Sequence, residues 1–205
     1  MKGYTDFLML LSPSDSVKAK IQQHKLYAAG IIGSYKSMHS IAHISIRKLP
    51  RQKTFLTEPN ILAFRKTLCV IPPVSLTVDG FDYFNHGDAY KTIYARIRST
   101  PEVSHWFKML KKHLHIKDFM IPHITVTRNI AADDFERLWP YFKTLTWNES
   151  FTVNALTVLQ RETFANFAKW EPFTELQFEG KMQYSLAAPK PSLLKPVQNR
   201  QISLF

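Results

Sequence analysis

The chain has 205 residues, 45% of them hydrophobic and 21% charged. That is enough apolar material for one globular domain or two small lobes, and it excludes disorder for most of the length. The single cysteine, Cys69, excludes an internal disulfide and a cysteine-based zinc site, and within "TLCVI" it reads as a buried, inert apolar residue. A net charge of +11 favours encounter with anionic partners, nucleic acids and nucleotides before neutral metabolites, although no block of Lys or Arg fixes where.

The first apolar run, in "DFLMLL", alternates like a strand and is too short for the apolar region of a signal peptide or for a membrane span, so a cytoplasmic location with no membrane contact is expected. "SPSDSVKAKIQQHKLYAA" predicts a helix with Ser14 as N-cap, Val17, Ile21, His24 and Ala28 on one face, and Gly30 as its stop. "HISIRKL" predicts a strand. "TEPNILAFRKTL" predicts a helix capped by Thr57 with Pro59 in its first turn, and "VSLTV" a strand ending at Asp79-Gly80.

The second half begins again with a strand, "YKTIYARI". The helix "TPEVSHWFKMLKKHL" follows, with Val103, Trp106, Phe107, Leu110 and Leu114 at helical spacing, and then the strand "FMIPHITVT". "AADDFERLWPYFKTL" is helical in pattern, with Pro140 expected to kink it or divide it in two. "SFTVNALTVLQRE" and "FTELQFEG" supply the last strand candidates. Both halves thus read strand, helix, histidine strand, helix, strand, a duplication of element order rather than of residues. The expectation is a single α+β unit of residues 1–188, made of two pseudo-symmetric lobes, approximately 1–85 and 86–188, with strand exchange between them allowed. Each lobe would hold a mainly antiparallel sheet with helices outside, and the two histidine strands would face each other across a central cleft.

Those strands carry "IAHISI" (41–46) and "IPHITV" (121–126). Side chains alternate along a strand, so His43 and Ser45 share one face while Ile44 and Ile46 take the other, and His123 and Thr125 repeat the arrangement against Ile124 and Val126. Two imidazoles flanking a phosphorus can divide the work, one taking a proton from the attacking oxygen and one giving a proton to the leaving oxygen, while the hydroxyls bind the phosphoryl oxygens. No Asp, Glu or Cys keeps ligand spacing to either histidine, so neither a metal nor another cofactor is expected.

The pair "HISI" and "HITV" resembles the two signature tetrapeptides of the two-histidine phosphoesterase superfamily, in its branch of bacterial and archaeal 2',5' RNA ligase-like proteins that also act as RNA 2',3'-cyclic phosphodiesterases. The likeness extends over roughly residues 5 to 180, with Ser45 where threonine is usual. The resemblance implies a bilobal fold with a central cleft. It further implies metal-independent chemistry on 2',3'-cyclic or 2',5'-linked phosphates of RNA or nucleotides, in the hydrolase or the ligase direction. Catalytic roles would fall to His43 and His123, with phosphate contacts from Ser45 and Thr125, and acid and base are not assigned between the two histidines. The alternative is a nucleotide- or RNA-binding module that keeps the cleft without turnover.

Arg47, on the inward face of the first motif, and Arg128, after the second, are candidate phosphate ligands or plain surface arginines. Strict alternation turns Arg128 away from the cleft unless its strand bends. In "FDYF" (81–84), Tyr83 or Phe84 could support a nucleobase, or simply pack in the core. His113 and His115 read as part of a solvated basic face, and His24, His39, His86 and His105 receive no role. Residues 189–205, with three prolines, three basic residues and no acid, read as an extended tail. Its end, "QISLF", resembles the peptide by which bacterial proteins dock on the DNA polymerase sliding clamp, with Gln201 setting register and Leu204 and Phe205 as anchors. A monomer is expected.

Overall fold

The computed structural model describes residues 3–118 and 121–181. Its elements run β1 (Tyr4–Leu11), α1 (Asp15–Ile32), β2 (Ile44–Lys53), α2 (Thr54–Ala63), α3 (Arg65–Leu68), β3 (Val74–His86), β4 (Tyr90–Ile97), α4 (Pro101–His113), β5 (His123–Ala131), α5 (Ala132–Thr144), β6 (Asn148–Val153), β7 (Ala155–Glu162) and β8 (Glu171–Gln177). They build two four-stranded sheets, in the orders β2-β1-β7-β8 and β5-β4-β3-β6. Every pairing is antiparallel. The class is α+β with two lobes.

The duplication is visible in the topology. In each sheet a strand (β1 or β4) runs into a helix (α1 or α4) and then into the histidine strand (β2 or β5), which takes the edge beside its predecessor. Chain order and sheet membership part company elsewhere, because β3 joins the second sheet and β7 and β8 join the first. A cut near residue 85 therefore describes the lobes only with these strands exchanged. The exchange ties the two lobes into one core, in which Phe7, Met9 and Ile44 of the first sheet join Leu76, Ile93 and Ile124 of the second.

Several elements differ from the sequence expectations, each for a local reason. α1 continues past Gly30 to Ile32 and closes at Gly33, whose φ of 78° suits glycine. α2 starts at Thr54, not at Thr57, and its N-cap residue Lys53 makes no side-chain cap; Pro59 lies inside the helix. β3 does not end at Asp79-Gly80. Gly80, at φ 69°, makes a bulge between Val78 and Phe81, hydrogen-bonds through its N–H to the Trp147 carbonyl at 2.8 Å, and lets the strand run on to His86. Pro140 does not divide α5, because it sits on the exposed side while Phe135, Leu138 and Phe142 are buried on the other, so tertiary packing outweighs one missing hydrogen bond. The long candidate "SFTVNALTVLQRE" breaks at Asn154 into β6 and β7, which belong to different sheets. Cys69 is half-buried, and its thiol donates to the Lys66 carbonyl at 3.3 Å.

The face of α1 read from the sequence is the buried one, with Val17, Ile21, His24 and Ala28 all inside, and α1 packs on both β5 and α5. His24 lies edge-on to Phe81 (4.9 Å between centroids) and Phe142 (5.8 Å), and near Trp147 (5.7 Å), with its Nε2 buried and unpaired. Burial, and then the charge of Lys20, push this imidazole down to about 4. The unfolded chain, with a histidine pKa near 6.5, therefore binds the proton first, and stability is lost as pH falls from about 6.5 toward 4. Between pH 7 and pH 4.5 the wild type should lose about 2 kcal/mol of unfolding free energy through this residue. Urea titrations at the two pH values test this: His24→Leu should shrink the difference by that amount, whatever its offset at neutral pH, and an unchanged difference would show that His24 is not the acid-sensitive group.

Candidate active site

Both histidines stand at the beginning of an edge strand, His43 just before β2 and His123 as the first residue of β5. His43 Nδ1 lies 2.8 Å from the Ile41 carbonyl, and His123 Nδ1 lies 2.7 Å from the Ile121 carbonyl. A carbonyl only accepts, so Nδ1 carries the proton in both rings, and each neutral imidazole keeps its lone pair on Nε2. The same device, a hydrogen bond to the residue two positions back, sets the same tautomer twice. Behind each histidine an aliphatic pair, Ile44 with Ile46 and Ile124 with Val126, is buried.

Along β2, His43, Ser45 and Arg47 keep the half-buried alternate positions that the period-two reading gave them. Ser45 pairs with Leu10 of β1, and Thr125 pairs with Tyr94 of β4. β5 then departs from alternation. Its pairing with β4 is irregular between Ile93 and Tyr94 and again between Lys91 and Ile93, Val126 and Thr127 are both buried, and Asn129 has φ 56°. Thr127 Oγ1 accepts from the Ile93 N–H at 3.3 Å and Thr92 Oγ1 from the Asn129 N–H at 3.0 Å, so side chains take over ladder bonds that the bulges disturb. Thus the strand bends, and Arg128 joins Ser45 and Thr125 on the cleft wall.

The cleft has a volume of about 880 Å³ and is lined by His43, Ser45, Arg47, Thr125 and Arg128 among others; His123 is not one of its lining residues, but it stands two positions before Thr125 on β5 and is near enough for its charge to act on His43. Among the described residues no carboxylate lines it, and no group of three or more His, Cys, Asp or Glu side chains could hold a metal ion. Burial is the main cause that lowers the pKa of His43, followed after the opposing Ile41 hydrogen bond by the charges of Arg128, Lys25 and His123. For His123 burial again leads, and Arg128 is the cation that adds to it. The ring of His123 packs edge-on to Phe84 at 5.0 Å and tilted to Tyr94 at 5.1 Å, and Phe84 stacks on Tyr94 at 4.2 Å.

The 2'-5' RNA ligase superfamily model matches residues 13–164, about three quarters of the chain and both histidine motifs. The chain belongs to this superfamily. Among solved structures, it is similar in fold to the Thermus thermophilus protein TT0787, at 12% identity and a TM-score of 0.64, with 86% of this chain and 100% of that one covered. It is also similar to E. coli LigT in its complexes with phosphate (14% identity, TM-score 0.58, covering 86% and 98%) and with 3'-AMP (13%, 0.57, 85% and 98%). No curated protein matches it by sequence. No helix among the described residues is long and apolar enough to cross a membrane.

Within this superfamily member, the remaining candidates separate clearly. Arg47 lines the cleft but spends Nη1 on the Leu114 carbonyl, 3.0 Å away at the end of α4. Phe84 stands against His123, whereas Tyr83 turns to α5, where it meets Phe135 at 4.8 Å and Trp139 at 4.9 Å, with the Lys91 ammonium over its ring. Gln201, Leu204 and Phe205 lie outside the described residues. A residue given no role in the sequence reading holds the loop before His43. Lys25, 1% exposed, donates from Nζ to the Ser37 carbonyl at 3.0 Å, the Ser40 carbonyl at 2.6 Å and Ser40 Oγ at 2.8 Å. It thereby fixes the loop that delivers His43. Ser37 continues the chain of contacts into the second lobe: its Oγ donates to the Val126 carbonyl (3.3 Å) and accepts from the Arg128 N–H (2.9 Å). The signal was a cation at position 25, four residues after Ile21 and three before Ala28, in the middle of an apolar helical face.

Burial, and then Arg128, lower the Lys25 ammonium to about 8, so it is still charged while the histidines titrate. Lys25→Met should therefore raise the pKa of His43 and leave that of His123 in place, whereas Arg128→Met should raise both. Imidazole NMR titrations read the two rings separately, and equal movement of both in Lys25→Met would contradict this placement. Lys25→Met should also cost about 2 kcal/mol of stability, because the Ser37 and Ser40 carbonyls lose their buried donor.

Proposed function

We propose that the protein is a metal-independent phosphoesterase that opens 2',3'-cyclic phosphates at RNA or nucleotide ends by paired-histidine acid/base catalysis. The observation that carries this reading is the matched pair of Nδ1 hydrogen bonds, which leave one Nε2 per lobe free to exchange a proton beside the same cleft. LigT holds phosphate in one solved complex and 3'-AMP in another. A phosphate flanked by a nucleoside suits this cleft as well, with hydroxyls at Ser45 and Thr125 and the guanidinium of Arg128 on its wall, and the Phe84 ring against His123 nearby.

The reaction needs one neutral and one protonated imidazole. Nε2 of the neutral ring takes a proton from water as the water oxygen bonds to phosphorus, and Nε2–H of the other ring gives its proton to the ribose oxygen as that P–O bond breaks. Ser45 and Thr125 donate to the non-bridging oxygens, and Arg128 offsets their charge. When a 5' hydroxyl takes the place of water, the same step bonds its oxygen to phosphorus and releases the same ribose oxygen, which is the ligase reaction on the same pair. Burial and the Arg128 charge disfavour the protonated form of both rings, with Lys25 adding to this at His43.

With chelator present, the purified protein should hydrolyse nucleoside 2',3'-cyclic phosphates, and His43→Ala or His123→Ala should each lower kcat by about 10² to 10⁴-fold. Because both histidines are held below the ordinary 6.5, kcat/KM should peak below pH 6.5 and decline as pH rises toward 8, where neither ring carries the proton. Activity that survives both substitutions would overturn the mechanism. Binding without turnover in the wild type would make the protein a nucleotide-binding module.

A further inference from the structure

The cleft extends past His43 along one face of the first sheet. There Leu8, Leu10 and Leu159 form an aliphatic floor, and Trp170, in the turn before β8, stands at the far end. Lys18, Lys36 and Lys48 line the same space, together with Arg47 and Arg128 and without a carboxylate among the described residues. Trp170 is half-buried, and the Arg161 guanidinium covers its ring at 4.6 Å. A basic groove with an aromatic platform at one end is the construction that holds single-stranded nucleic acid, where cations follow the backbone and a ring supports any base.

The position of Trp170 decides which part of a substrate it meets. β8 lies three strand spacings from β2, on the order of 14 Å at ~4.8 Å per step, with β1 and β7 between them. Phe84, the aromatic beside His123, belongs to the other sheet. A nucleoside resting on Phe84 would thus sit against the second sheet, whereas Trp170 stands on the first, so the two rings offer separate platforms. We infer that Trp170 and the Leu8–Leu159 floor form a second nucleobase subsite, and that the cleft is built for an RNA strand of two or more nucleotides rather than for a mononucleotide.

This inference rests on the phosphoesterase reading, and the test separates the two. The probes are a trinucleotide ending in a 2',3'-cyclic phosphate, a nucleoside 2',3'-cyclic phosphate, and, for binding alone, a trinucleotide ending in a 3'-phosphate. The wild type should have a lower KM for the trinucleotide than for the mononucleotide, and Trp170→Ala should reduce that preference by about tenfold, the worth of one base stack. Trp170→Phe should restore most of it, which a merely structural loss would not do. A preference unchanged in Trp170→Ala would overturn the subsite, whether neither KM moved or both moved equally. If the wild type turns over neither cyclic phosphate, the phosphoesterase reading fails, and the binding titration decides the subsite: about tenfold weaker binding of the 3'-phosphate trinucleotide to Trp170→Ala supports it, and equal binding overturns it.

Discussion

The site depends on one buried cation. Lys25 is driven out of water by the packing of α1, and it stays charged because three oxygen acceptors of the following loop surround its ammonium. Removing any of them would leave a buried donor unpaired, so the loop has little freedom, and its last residues are Ile41, Ala42 and His43. The same loop carries Ser37, whose hydroxyl bridges the Val126 carbonyl and the Arg128 N–H, on either side of Thr127 in the irregular part of β5. A single set of hydrogen bonds therefore positions the histidine of one lobe and the bent strand of the other. The cleft is defined between two lobes because their seam is polar and directional there rather than merely apolar.

Placing the chemistry on edge strands follows from the duplication. An interior strand has both sides of its backbone paired and only its faces free, whereas β2 and β5 each have an unpaired side next to the other sheet. Edges are usually a hazard because their free N–H and C=O groups invite further pairing. Here the bulges in β5 and the contacts of Ser37 interrupt such a ladder, and the same interruption turns Arg128 into the cleft. One irregularity thus blunts the edge and brings a guanidinium to the cleft wall beside Ser45 and Thr125.

The periodic parts of this arrangement were legible in the sequence. The buried face of α1, the alternation of "HISI" and "HITV" and the repeated element order all rest on short-range spacing, and the fold keeps them. The sequence left unreadable what depends on a partner far away in the chain. The exchange of β3 and β7 between sheets is set by which edges remain free once both lobes form, and no local pattern encodes it. The turn of Arg128 needs the bulges after Thr125, which Ser37, some ninety residues earlier, helps to hold. Pro140 and Gly80 looked like stops because propensity is local, whereas burial of Phe135, Leu138 and Phe142 and the Trp147 carbonyl decide those positions in the folded chain. Lys25 was readable in principle, as a charge out of place on an apolar face, but its acceptors are backbone carbonyls, which leave no residue signature.

The two histidines share a backbone device but not their surroundings. The repeat makes their tautomers equal, through identical hydrogen bonds to the residue two positions back. The surroundings that are not repeated then separate them. His43 has the ammonium of Lys25 nearby, which has no counterpart among the cations acting on His123. His123 instead packs against Phe84 and Tyr94, rings that restrict its motion and leave its Nε2 as the polar edge. The backbone repeat thus gives both rings the same tautomer, while the residues around the two rings differ. In this chain the difference between two similar motifs lies in α1 and β3, outside the motifs themselves.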